Sequence, residues 1–262
     1  MKAPRLGAGP GRLLAYLSLE PLKEAAPPTG APLRAGKQKR KGRGPSWMRA
    51  RLTSLVELGF MEGGIVEVVA STVDADGRPS LAAMGASLDG GLVALRPFKD
   101  TATYANLSST GEAVLNLTDD PALFAHAALK VRVADLELEP SRAVKPPRVK
   151  GAYGFVEVVV ERVEDGGERA EVYCRPVVVE ARLVRPRAYC RAGPAIIEAL
   201  IHASRLEAFA KRGLDARKLL ELIGGCRELV HRVAPNTRYA EVMEEVWRWS
   251  LLKLREGGVV GG

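Results

Sequence analysis

Three closely spaced strand patterns between Ile65 and Leu95 limit this chain's fold more than any other feature. Ile65 to Val73 reads IVEVVASTV. β-Branched side chains at that density favour a strand, because two heavy atoms on Cβ crowd a helical turn. Asp74-Ala-Asp-Gly-Arg-Pro follows, and Asp76-Gly77 can supply the positive φ of a tight hairpin. Ser80 to Ser87 is the second strand, Asp89-Gly90-Gly91 the next turn and Leu92 to Leu95 the third. Loops this short have no room for crossover helices. The pattern therefore predicts a β-meander opening a barrel or sandwich rather than βαβ units.

The pattern changes after Arg96-Pro97-Phe98. Asp100 can cap a helix over Thr101 to Ser109, which Gly111 would end, and Ala113 to Leu117 is a further strand. Asp120-Pro121 opens another short helix, with proline suited to its first turn. Leu136 to Leu138, Gly154 to Val163 and Ala170 to Val184 supply at least three more strands, with Gly166-Gly167 as a hairpin turn and Pro140 to Pro147 as a surface loop. From Gly193 the spacing of Ile196, Ile197, Leu200, Ile201 and Leu206 is helical. Gly213 is expected to stop that helix, Asp215 to cap the next and Gly224-Gly225 to interrupt it. Asn236 or Thr237 would cap a last helix through Leu254. Trp247 and Trp249 would lie on different faces of that helix, at least one in a core or subunit contact. Strands followed by helices indicate an α+β protein. Its expected segments are a basic extension over 1–50, a barrel over 51–190 and a helical part over 191–256, in which the helices cover the barrel or pair with a second subunit.

The net charge of +8 suggests nucleic acid until it is mapped. Residues 1–52 hold 12 Lys or Arg against Glu20 and Glu24, whereas the rest holds 27 basic and 29 acidic residues. The folded body is nearly neutral and a poor candidate for nucleic acid. Lys37 to Arg43 reads as a solvated run, either tail or an early start (Met48 and Met61 being later starts), or as weak phosphate attachment. Leu13 to Leu19 is bracketed by Pro10 and Pro21 with no convincing cleavage site after it, and the Gly7, Gly9 and Gly11 cluster follows no strand. The body is expected to begin near Arg51, with Leu52, Leu55, Val56 and Leu58 forming a helical turn ended by Gly59. Nothing approaches the roughly 20 apolar residues of a membrane span. Cys174, Cys190 and Cys226 form no CxxC pair, which fits reduced thiols in a cytoplasmic protein. His126, His202 and His231 lack metal-ligand spacing, so no metal site is expected.

One stretch carries chemistry. A helix starting after RPFKDT would expose unpaired N–H groups and about half a positive charge. Arg96 and Lys99 add full charges there, and Thr101 and Thr103 add hydroxyl donors. An anion such as phosphate fits. A capped helix with ordinary surface cations fits the pattern equally well.

Several stretches in order resemble a largely archaeal domain-of-unknown-function family, number 447, related to flavin reductase-like FMN-binding split barrels. They are VASTV from Val69, DGRP from Asp76, AAMG from Ala82, LRPFKDTATYANL from Leu95 and NLTDDPALF from Asn116. The helical stretch from Gly193 to Leu206 resembles the family's C-terminal part. The resemblance implies a six-stranded Greek-key split β-barrel with a C-terminal helical segment, usually a homodimer, with FMN near the subunit interface. It places Arg96, Lys99, Thr101 and Thr103 at the phosphate and ribityl chain, and the backbone of Ala83, Met84 and Gly85 at the flavin ring edge. Asn106 and Asn116 would contact the flavin or the turn beside it, unless they are back-bonding and strand-end amides. Met84 and Phe98 also read as packing. His202 and Arg205 share a helical face that could reach a substrate, or pack an interface.

The function implied is an FMN-dependent oxidoreductase with a nicotinamide nucleotide as candidate donor. A flavin supplies its own redox chemistry, so no catalytic acid, base or nucleophile is named. The competing reading is a non-catalytic module for a flavin or another anionic ligand, and a third is nucleic-acid attachment through the basic tail.

Overall fold

The computed structural model describes residues 55–182, 188–212 and 214–256. The basic extension, Leu52, Gly213 and the end of the expected strand at Leu183 and Val184 lie outside them. A helical turn at residues 55–57 leads through Gly59, at φ 91°, to the meander.

The meander is as expected: β1 (Val66–Val73), β2 (Pro79–Asp89) and β3 (Leu92–Leu95). β1 and β2 pair from Val66↔Ala86 to Val73↔Pro79, and β2 and β3 from Ala86↔Leu95 to Asp89↔Leu92. Helix α1 (Ala102–Thr110) and β4 (Glu112–Leu117) follow, then α2 (Pro121–Leu129). A two-residue ribbon joins β5 (Leu138–Glu139) to β6 (Arg148–Val149). The long hairpin of β7 (Gly154–Gly166) and β8 (Arg169–Ala181) precedes α3 (Ala192–Lys211), α4 (Arg217–Val233) and α5 (Arg238–Glu256). Six strands close into an antiparallel barrel in the order β1-β2-β3-β8-β7-β4, with β4 returning to β1 through Val69↔Asn116. The return of β8 to β3 past β4 and β7 is the expected Greek-key crossing.

Alternation along the strands makes two cores. Val68 and Ala70 of β1 join Ala86, Leu88, Val93, Leu95, Leu115, Val156, Val158 and Val172 in one buried cluster, the barrel interior. Val69 and Leu81 face the other way and join the buried residues of α2 to α5 in a second. The helices cover this outer wall. Trp247 and Trp249 both pack against that cluster.

Four local expectations fail for physical reasons. The Leu136–Leu138 strand shrinks to Leu138–Glu139, outside the barrel, because its partner β6 is only two residues long. Thr101, not Asp100, caps α1: its Oγ1 accepts from the Tyr104 amide at 3.3 Å, and Asp100 lies one residue further from the helix start. α4 runs unbroken through Gly224-Gly225 because α5 packs against it, with Trp247 3.8 Å from where a Cβ on Gly224 would sit. Ala216 occupies the α4 cap position, although Asp215 accepts from the Arg217 amide at 2.9 Å. The Asp120 cap with Pro121 in the first turn, and Gly111 at φ 69° behind α1, are as expected. Thr237 precedes α5 and accepts the Glu241 amide through its backbone carbonyl, while Asn236 takes a left-handed φ of 56°.

Candidate functional site

β3 is shorter than β2, and this mismatch makes the site. Pairing of β2 with β3 stops at Ala86↔Leu95, while β2 stays paired with β1 down to Pro79. Beyond Leu95 the chain turns away. The stretch of β2 containing Ala83, Met84 and Gly85 therefore has β1 on one side and, among the described residues, no strand on the other. An unpaired edge offers backbone donors and acceptors to whatever lies beside it. The Leu81 carbonyl on this stretch accepts from Lys130 Nζ. Burial lowers the Lys130 pKa from the usual lysine range. Met84 packs toward the barrel interior and Ala83 toward the helices. At Gly85 a Cβ would come within 2.7 Å of Ile65 Cγ2, so any larger residue would have to displace the exposed Ile65 side chain.

The chain leaving β3 runs beside the turn of the β7–β8 hairpin. The Lys99 amide donates to the Glu168 carbonyl at 3.1 Å, the Ala170 amide to the Pro97 carbonyl at 3.0 Å, and the Arg169 guanidinium stacks 3.9 Å over the Phe98 ring. Phe98 thus braces the loop against the hairpin. Arg96 Nε lies 3.2 Å from Glu171 Oε1, and Lys99 Nζ 2.6 Å from Asp165 Oδ1. The Asp165 carboxyl is held below the usual range, first by Lys99 and then by the Gly167 amide. That of Glu171 is lowered first by the Tyr173 hydroxyl and then by Arg96. The pattern of residues 96–103 contains the cations but not these two acids, which come from a hairpin more than 60 residues away.

Thr101 Oγ1 accepts from the Tyr104 amide and donates to the Phe98 carbonyl at 2.7 Å. The amides of Ala102 and Thr103 have no protein acceptor among the described residues, leaving two first-turn donors for an anion. Thr103 and Asn106 lie on the buried face of α1. Asn106 Nδ2 donates to Thr72 Oγ1 of β1 at 2.9 Å. Arg96, Lys99 and Thr101 therefore form an accessible rim, and Thr103 and Asn106 stand beneath it. Asn116 is fully buried. Its Nδ2 donates to the Val69 carbonyl at 2.8 Å and its Oδ1 accepts the Val149 amide at 2.7 Å, so it ties β4, β1 and β6 together.

Sequence reasoning missed Glu67. It pairs with Gly85 across β1 and β2 and points outward to a slot of about 60 Å³ against Ala83 and Ile197, Ile201 and Ser204 of α3. Half-burial raises its carboxyl pKa above the usual range, and Glu198 adds to the shift. The alternation of IVEVV signals an outward Glu but not the helix that covers it. His202 lies on α3 with Nδ1 buried and without a partner among the described residues. Arg205 is exposed, and its charge reaches Arg169 of the hairpin. A wider groove of about 1150 Å³ lies between residues 132–136 and the α4–α5 junction. Its Glu244 is bound by Arg227 and His231. Among the described residues no group of three or more His, Cys, Asp or Glu is arranged to hold a metal ion.

Residues 66–182 match a family model described as protein of unknown function (DUF447) N-terminal domain, and residues 190–246 match protein of unknown function (DUF447). The FMN-bound protein MM1853 from Methanosarcina mazei is similar in structure, with a TM-score of 0.61 and 23% identity over 74% of this chain and 99% of that one. The flavoredoxin of Desulfovibrio vulgaris (Miyazaki F) has a TM-score of 0.40 and 16% identity, over 45% of this chain and 69% of its own. The NADH:FAD oxidoreductase SgcE6 of Streptomyces globisporus C-1027 has a TM-score of 0.38 and 14% identity, over 58% and 97%. No curated protein matches the chain. At these identities the likeness to MM1853 carries the fold alone, a six-stranded antiparallel barrel with C-terminal helices.

Proposed function

The chain belongs to the DUF447 family, and from that premise we propose that it is an FMN-binding flavoprotein of the oxidoreductase type. The observation that carries this reading is the unpaired β2 edge beside a cationic helix start, in a barrel shared with an FMN-bound member of the family. The two halves suit the two ends of one ligand. Arg96, Lys99 and the Ala102 and Thr103 amides would hold the phosphate, while the Thr101 hydroxyl, which donates to the Phe98 carbonyl, would fix the loop beside it. The backbone of Ala83, Met84 and Gly85 would meet the polar rim of the ring, with Gly85 leaving room for close approach. Thr103 and Asn106 support α1 from beneath, and Asn116 fixes the strands behind it.

Bound flavin supplies hydride and electron transfer by itself. The work left to this chain is to bind, orient and shield the ring, and a nicotinamide nucleotide is the donor we assign. A homodimer in the cytoplasm, with the subunit interface near the flavin, completes the reading.

Purified protein should bind FMN with quenching of its fluorescence and show a yellow flavin spectrum. Arg96→Ala should weaken that binding ten- to a hundredfold, the value of a charge-assisted contact of roughly 1.5–3 kcal/mol. Unchanged affinity would remove Arg96 from the site. Anaerobic mixing with NADH and NADPH then separates an oxidoreductase from a module that only holds the ligand: bleaching of the flavin band supports turnover, and its persistence supports the module.

A further inference from the structure

The two cations assigned to the phosphate already face carboxylates, and those carboxylates are fixed independently of them. Asp165 Oδ1 accepts the Gly167 amide at 2.8 Å, inside the turn of its own hairpin. Glu171 Oε2 accepts the Tyr173 hydroxyl at 2.8 Å, two residues along the same strand. Either acid would hold its place if Lys99 or Arg96 swung toward another anion. Both pairs are accessible to solvent, with Lys99 34% and Arg96 46% exposed, so a ligand can reach the cations without unfolding anything.

Building on the FMN reading, we infer that Asp165 and Glu171 are specificity-determining residues: they compete with the flavin phosphate for Lys99 and Arg96, and so narrow the preference of the site for FMN over riboflavin. A phosphate arriving at the rim must replace two carboxylates as the partner of the cations, and afterwards lies close to both negative charges. Riboflavin has the same ring and ribityl chain without the phosphate, so it meets neither obstacle. The arrangement weakens binding of the phosphorylated cofactor selectively. It favours a flavin that exchanges over one that stays.

The test is to titrate wild-type protein, Asp165→Asn, Glu171→Gln and the double variant with FMN and with riboflavin at one ionic strength. Each amide should tighten FMN about threefold and the pair about tenfold, the range expected of exposed ion pairs, with riboflavin affinity unchanged. In a Lys99→Met background the effect of Asp165→Asn should largely vanish. FMN affinity that stays constant or falls in the amide variants overturns the inference, because the acids would then position the cations rather than compete for them. Parallel tightening of both flavins also overturns it, since the effect would lie in the ring site or the fold. Both of these results leave the FMN reading intact. Wild-type protein that binds neither flavin overturns the reading and the inference together. Amides replace carboxylates of the same shape on an exposed hairpin, and a thermal melt of each variant verifies that it is folded.

Discussion

Glu67 and Glu157 are carboxylates on outer faces of barrel strands, and their surroundings separate them. Glu157 is fully buried but matched: Arg148 Nη2 is 2.6 Å away, and the amides of Arg142 and Ala143 donate to its two oxygens. Among the described residues Glu67 has no cation paired with it, Glu198 of α3 adds to its shift, and burial is the larger cause of its raised pKa. A raised acid favours the folded state while protonated. Its contribution is fully present below the unfolded value of about pH 4.3 and is lost as pH rises through the higher folded value. Glu67→Gln removes that loss. The variant should therefore melt higher than wild type at pH 7 and at nearly the same temperature at pH 4, measured by calorimetry across that range. An equal difference at both pH values would assign the effect to packing instead. Neither environment was legible in the sequence, because Glu67 and Glu157 occupy similar strand patterns and differ only in what covers them.

At the level of elements, legibility followed range. The hairpin turns, the Asp120-Pro121 start and the Gly111 stop depend on neighbours within a few residues, and each stands where the sequence put it. The Thr101 cap lay one residue beyond the expected Asp100, a local competition between two oxygens near the same amides. The failure at Gly224-Gly225 was of another kind. Two adjacent glycines cost an isolated helix about 1 kcal/mol each relative to alanine, and tertiary packing of α5 on α4 outweighs that cost. The two positions are not equivalent. Gly224 faces Trp247, whereas none of the described residues lies within 4 Å of where a Cβ on Gly225 would sit. Gly225→Ala should then stabilise the protein by roughly 0.5–1 kcal/mol, read from the midpoint of a urea titration at unchanged slope. A loss of stability would mean that the open side of α4 is covered in the assembled protein.

For the whole molecule, strands and helices were legible in the sequence, but not how they share a core. Val69 and Leu81 are barrel residues by strand pairing and helical-layer residues by packing, since both belong to the cluster formed with α2 to α5. Their side chains cross from one layer to the other, and Glu67 and Ala83 line the slot at the same boundary. The proposed ring site uses this wall, so its shape depends on the helices as much as on the strands. Removing α3 to α5 would uncover Val69, Leu81 and the apolar face of α2 together. The barrel and the helices should consequently unfold as one unit rather than as two domains in series. Hydrogen exchange measured by mass spectrometry at increasing urea should show the most protected amides of β4 and α5 converging on one free energy and one denaturant slope. Separate free energies, with α5 opening well before β4, would make the helical layer an independent lid over the β2 edge, and would turn access to the flavin from a property of the rim into a property of that lid.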